Sequence, residues 1–125
     1  MKNKKIIIID ECRFSRICSA LFDSLGYGAE ILPAVTTLPS IFSSDEFGLI
    51  VISYPYGAPL IDHIKRKNIP TIILSDNIDG NLISILNDFE NSYCMIKPLD
   101  YEKLRSVVKQ VMSGALADQR GYNIV

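Results

Sequence analysis

Four stretches of this chain place polar side chains directly after apolar runs. Asp10 and Glu11 follow four isoleucines, and two adjacent carboxylates suit a hard divalent cation such as magnesium held by oxygen ligands. Ser53 ends the run Gly48-Leu49-Ile50-Val51-Ile52. Ser75 and Asp76 follow Thr71-Ile72-Ile73-Leu74, and Lys97 follows Tyr93-Cys94-Met95-Ile96. A lysine over two acids can hold an anion in place or neutralise the acids directly. Any one polar residue at the end of an apolar run is ordinary, because the chain is emerging into water. Four in this order and spacing form a constellation.

The elements that must position these residues alternate regularly. Ile6 to Ile9, Ala29 to Leu32, Leu49 to Ser53, Thr71 to Ser75 and Tyr93 to Ile96 read as five strands, mostly continuous β-branched runs of the kind buried on both faces. Between and after them lie helical patterns. Phe14, Ile17, Cys18, Leu21, Phe22 and Leu25 repeat at helical spacing before Gly26 or Gly28 ends the helix. Two short helices are predicted at Thr37 to Ser43 and Leu60 to Lys67. Asp79 is a candidate N-cap for a helix carrying Leu82, Ile85, Leu86 and Phe89. Asp100 does the same for a last helix through Leu104, Val107, Val108, Val111 and Met112. Right-handed crossovers turn this alternation into a doubly wound α/β sandwich of five parallel strands and five helices, the second and third short. A flavodoxin-like order, 2-1-3-4-5, is one of its two common forms, and ligands then sit at the carboxyl ends of the strands. Residues 1–118 read as one domain and 119–125 as a tail.

Composition narrows the function classes. Thirteen basic and fourteen acidic residues leave a net charge of -1, with no basic block to mark a nucleic-acid footprint. No apolar run approaches the ~20 residues of a membrane span. The basic start at Met1-Lys2-Asn3-Lys4-Lys5 is followed by too short an apolar stretch for a signal peptide. Three cysteines, Cys12, Cys18 and Cys94, show no metal-ligand spacing, and a cytoplasmic setting is expected. His63 stands without a second histidine or a cysteine nearby and reads as a solvent-facing polar residue. Tyr54, Pro55 and Tyr56 form a possible aromatic contact patch.

Over residues 4 to 117 the chain resembles response-regulator receiver domains, the family of the bacterial chemotaxis receiver. The resemblance rests on Ile6-Ile7-Ile8-Ile9-Asp10-Glu11, on Pro70 to Ser75 with its switch-type hydroxyl, and on Met95-Ile96-Lys97-Pro98-Leu99, where it implies a cis bond before Pro98. It implies a place in two-component signal transduction or a phosphorelay.

The departures from that pattern matter as much. Ser53 stands where the resemblance implies the phosphoacceptor aspartate, whose carboxylate attacks a phosphohistidine and lends an oxygen to magnesium. A serine hydroxyl is a poor unassisted nucleophile, and no base is evident beside it. Cys94, three residues before Lys97, replaces the aromatic switch, and Tyr93 would face the other side of its strand. Tyr54 to Ile69 is short by about two helical turns. Asp76 puts a carboxylate where a small residue normally leaves room for phosphate.

The expectation is therefore a non-enzymatic pseudo-receiver. Asp10, Glu11, Ser75, Asp76 and Lys97 form its pocket, and Lys97 pairs with Asp10. No cofactor is expected, with magnesium at most weak at Asp10 and Glu11. Function would run through protein contact with a histidine kinase, another response regulator or a signalling assembly. The resemblance implies a surface on the fourth helix, fifth strand and fifth helix, here Asn87, Asp88, Tyr93, Cys94 and Lys103, with a possible homodimer. The alternatives are phosphotransfer to a displaced carboxylate, Asp76 or Asp62, and an anion or metabolite site using Lys97 and Ser75.

Overall fold

The structure is a computed structural model that describes residues 5–32, 47–54, 56–64, 69–89, 91–114 and 121–124. The predicted helix at Thr37 to Ser43 lies outside them.

The first five strands are β1 (Lys5–Ile9), β2 (Ala29–Ile31), β3 (Phe47–Tyr54), β4 (Thr71–Ser75) and β5 (Asn91–Ile96). They are parallel throughout and stand in the expected order, 2-1-3-4-5. Their side chains alternate between two cores. Ile7, Ile9, Ile50, Ile52 and Ile73 face one side, packed against helices α2 (Ala58–Ile64) and α3 (Gly80–Asn87). Ile6, Ile8, Leu49, Val51 and Ile72 face the other, packed against α1 (Cys12–Ser24) and α4 (Tyr101–Ser113). Both faces are covered, which is why these strands read as unbroken apolar runs rather than alternating ones.

The helix ends follow local chemistry. Asp79 accepts from the Leu82 amide at 2.8 Å, and Asp100 from the Glu102 and Lys103 amides at 3.0 and 3.2 Å. Each thereby satisfies amide donors that the first helical turn leaves unpaired. Gly114 ends α4 with φ of 81°, a left-handed conformation that costs glycine little. Ile17, counted by its spacing among the core residues of α1, is about half exposed (47%). Cys18 and Phe22 fill that core instead.

One element departs from the sequence reading. Residues 121–124 are not a tail but a sixth strand, β6 (Gly121–Ile124), parallel to β5 with Asn91 opposite Gly121 and Cys94 opposite Ile124. The five-stranded sheet is thus extended to six. The reason is the open edge that β5 would otherwise present. Its row of unpaired N–H and C=O groups is satisfied by a returning strand. Four helices lie among the described residues, against the five expected.

Candidate functional site

Parallel pairing brings the carboxyl ends of β1, β3, β4 and β5 together, and with them the polar residues that end each run. At the centre is Lys97. Its Nζ donates to Asp10 Oδ2 at 3.2 Å and to Ser53 Oγ at 3.1 Å. The same ammonium lies 5.0 Å from the centroid of the Phe14 ring, within range of a cation–π attraction. The three residues sit on three strand ends, 87 and 44 residues apart in sequence, and only the fold unites them.

Asp10 is almost wholly buried, its side chain 1% exposed, whereas that of Lys97 keeps 26%. The second carboxylate oxygen, Oδ1, accepts from the Glu11 amide at 2.7 Å. Ser15, one turn into α1, donates its hydroxyl to the Asp10 carbonyl at 2.9 Å. A buried carboxylate this well satisfied is stable in place, because each lone pair direction in use offsets part of the lost hydration. Ser53 is buried too, and its carbonyl accepts from the Gly57 amide at 2.7 Å. That hydrogen bond folds the loop after β3 so tightly that a side chain at 57 would run into Ile52. The short connection noted in the sequence thus presses directly against the strand that carries Ser53.

The other pocket residues lie apart from this cluster. The Ser75 hydroxyl donates to the Asn77 carbonyl at 2.8 Å, and the Ser75 carbonyl receives the Lys97 amide at 2.8 Å. The bond between Lys97 and Pro98 is cis. Glu11 and Asp76 are exposed, and Glu11 occupies the N-cap position of α1 without a side-chain capping bond. Asp62 and His63 on α2 are exposed as well.

These donors do not suit magnesium. The cation would need Asp10, but one oxygen of that carboxylate holds an amide and the other holds an ammonium. Among the described residues no three acidic, histidine or cysteine side chains converge in a way that could hold a metal ion.

The surface expected around β5 needs correction. Asn87, Asp88 and Lys103 are exposed, but Tyr93 is 2% and Cys94 0% exposed. The resemblance implied that the fifth strand lends side chains to a contact surface. With β6 beside it and helices over both faces, its side chains are interior. Tyr93 packs on the α1–α4 side and Cys94 on the α2–α3 side, so they face opposite ways as strand alternation requires. Burial pushes the ionisation of both upward, and the Tyr93 hydroxyl has no hydrogen-bond partner among the described residues.

Sequence reasoning passed over Cys18 and Phe14 as plain core. Cys18 is buried near the pocket, and its thiol is pushed up to about 12, first by desolvation and then by the Asp10 carboxylate, with Lys97 pulling the other way. Its membership of the first helix's apolar stripe was visible in the sequence; its proximity to Asp10 was not.

Neither a protein-family model nor a curated protein sequence matches this chain. Solved structures do. A response regulator receiver domain protein (CheY-like) from Methanospirillum hungatei is 17% identical, with 94% of this chain and all of that one covered at a TM-score of 0.68. A CheY-like response regulator from Mesorhizobium loti is 20% identical over 88% of this chain and 99% of that one, also at 0.68. The chemotaxis protein CheY4 of Vibrio cholerae is 13% identical, with the same coverage of each chain and a TM-score of 0.67. At such identities the likeness is one of fold. This chain has the CheY-like receiver fold.

Proposed function

We propose that this protein is a non-catalytic pseudo-receiver in signal transduction, acting through protein–protein contact without aspartyl phosphorylation. The observation that carries the reading is the double hydrogen bond of Lys97. Its ammonium is spent on Asp10 and Ser53, side chains of its own chain. In a site built to take phosphate, a lysine must be available to the incoming anion. Here that anion would have to displace a buried ion pair, and the residue it would meet is a serine hydroxyl that already accepts from the Lys97 ammonium rather than a carboxylate.

Two other readings draw less support. An anion or metabolite site would need Lys97 and Ser75 as donors, and both already donate within the chain, Ser75 to the Asn77 carbonyl. Phosphotransfer to Asp76 or Asp62 would rest on exposed carboxylates outside the Lys97 cluster. The partner in our reading is a kinase, another regulator or a signalling assembly, and Asn87, Asp88 and Lys103 remain exposed on the side first considered for it.

The test is incubation of the intact chain with acetyl phosphate and magnesium, followed by intact-mass measurement. An unchanged mass is the expected result. A single added phosphoryl group, mapped to Asp76 or Asp62, would overturn the reading in favour of a displaced acceptor.

A further inference from the structure

The two sides of the sheet are guarded by different means. At one side β2 has only three residues, and its central Glu30 is ion-paired with Lys5 at 3.3 Å. Short length and charge are two devices that keep a sheet edge from pairing with another chain. At the other side β5 has neither. Its six residues, Asn91-Ser92-Tyr93-Cys94-Met95-Ile96, carry no charge and no proline, and they pair with β4 without a break in register. Left outermost, β5 would be an undefended template for strand pairing. Its cover is a piece of the same chain. β6 runs parallel along Asn91 to Cys94 and lies against α3.

Little beyond that backbone pairing holds β6 in place. It has four residues, and its Ile124 is 48% exposed and belongs to neither core. Strands β1, β3 and β4, by contrast, bury nearly every side chain. Fixing a residue's backbone offsets most of what one net hydrogen bond contributes, so a short strand with little apolar burial is among the first segments to open locally. β5 does not depend on β6 for its own place. Its other side pairs with β4 from Ser92 to Ile96, and Tyr93 and Cys94 anchor it in the two cores.

From this contrast we infer that β6 is a detachable strap, an autoinhibitory contact that closes the edge of β5. While β6 is seated, that edge is blocked and the chain is a monomer. Once β6 leaves, the outer backbone row of Asn91 to Cys94 is free to accept an extended segment of another chain. A backbone row pairs only once, so any incoming strand competes with β6, and the equilibrium of the strap sets how much of the chain can be engaged there. The inference is independent of the phosphate pocket and of how the Lys97 cluster is read.

Amide hydrogen exchange on the full chain, followed by NMR at increasing urea below the unfolding transition, tests the strap. In a parallel strand the amides of alternate residues point to opposite neighbours. The β5 amides that face β6 should exchange together with those of β6, about tenfold or more faster than the β5 amides that face β4, and with little dependence on urea. Exchange of both sets only through global unfolding, with the urea dependence of β3 and β4, would overturn the inference. Sedimentation velocity gives the second reading, and the parent chain should be monomeric. Tyr122→Pro and Asn123→Pro change adjacent positions of β6, of which only one aims its amide at β5. That variant, identified by its unprotected β5 amides, should self-associate, and the other should behave as the parent does. Circular dichroism and the protection of β3 and β4 check that both are folded. A detached variant that stays monomeric would overturn the inference. So would a parent chain that self-associates with β6 protected, or two proline variants that both keep β6 in place.

Discussion

At the scale of the residue, the site depends on one ammonium. Lys97 compensates a carboxylate that has almost no contact with water, and breaking such a pair from the cationic side strands the anion. Lys97→Met keeps much of the side chain's bulk while removing its charge. The expected loss is about 2 kcal/mol, below the range for fully buried pairs because Lys97 itself stays partly solvated. Urea denaturation of the variant beside the parent chain measures it, and an unchanged midpoint would mean that the pair contributes nothing. Asp10, Ser53 and Lys97 were each legible in the sequence, because a polar residue after an apolar run marks a strand end. What the spacing could not give was direction. Glu11 and Asp76 are immediate neighbours of Asp10 and Ser75, yet both turn to solvent, and the Ser75 hydroxyl closes on its own loop rather than on Lys97.

Among the elements, the helices were read best where a cap announced them. Asp79 and Asp100 begin α3 and α4 as the sequence predicts, because a short acceptor side chain ahead of an apolar periodicity has a specific use. Asp100→Ala should lower stability by about 1 kcal/mol through two unpaired amides at the start of α4. Thermal unfolding followed by circular dichroism checks this, and Asp100→Asn should retain most of the parent's stability. Strands β1, β3 and β4 were legible for an equally physical reason. Burial on both faces leaves no room for polar alternation, so the runs stand out. β6 offered no such signal. Four neutral residues beyond Gly114 have neither length nor periodicity, and only the vacant edge of β5 gives them a place in the sheet. Tyr93 and Cys94 were placed on a contact surface by the resemblance alone, whereas their side chains point into the two cores beneath the helices.

At the scale of the whole molecule, three ionisable groups buried in the two cores impose an alkaline limit. The thiol of Cys18 titrates at about 12 in the fold instead of 9.0, so it keeps its proton where the unfolded chain has lost it. Its contribution is complete below about pH 9, and it falls by about 1.4 kcal/mol per unit as pH rises towards the folded value. Burial shifts Tyr93 and Cys94 in the same direction. Stability should therefore decline steeply above about pH 9. Urea midpoints at neutral pH and at about pH 10 measure the decline, and Cys18→Ala should make it shallower. A midpoint that holds constant across that range would contradict the burial assigned to Cys18.

The reach of the Lys97–Asp10 bond also bears on how the protein is made. Its partners are separated by 87 residues, so on the ribosome Asp10 emerges long before the ammonium that neutralises it. At synthesis rates of about 5–20 residues per second, that interval lasts seconds. Throughout it β1 carries a hydrated carboxylate at the end of its apolar run, a solubilising group on a segment that would otherwise invite aggregation. The pair that closes the pocket thus cannot form until the fifth strand has emerged.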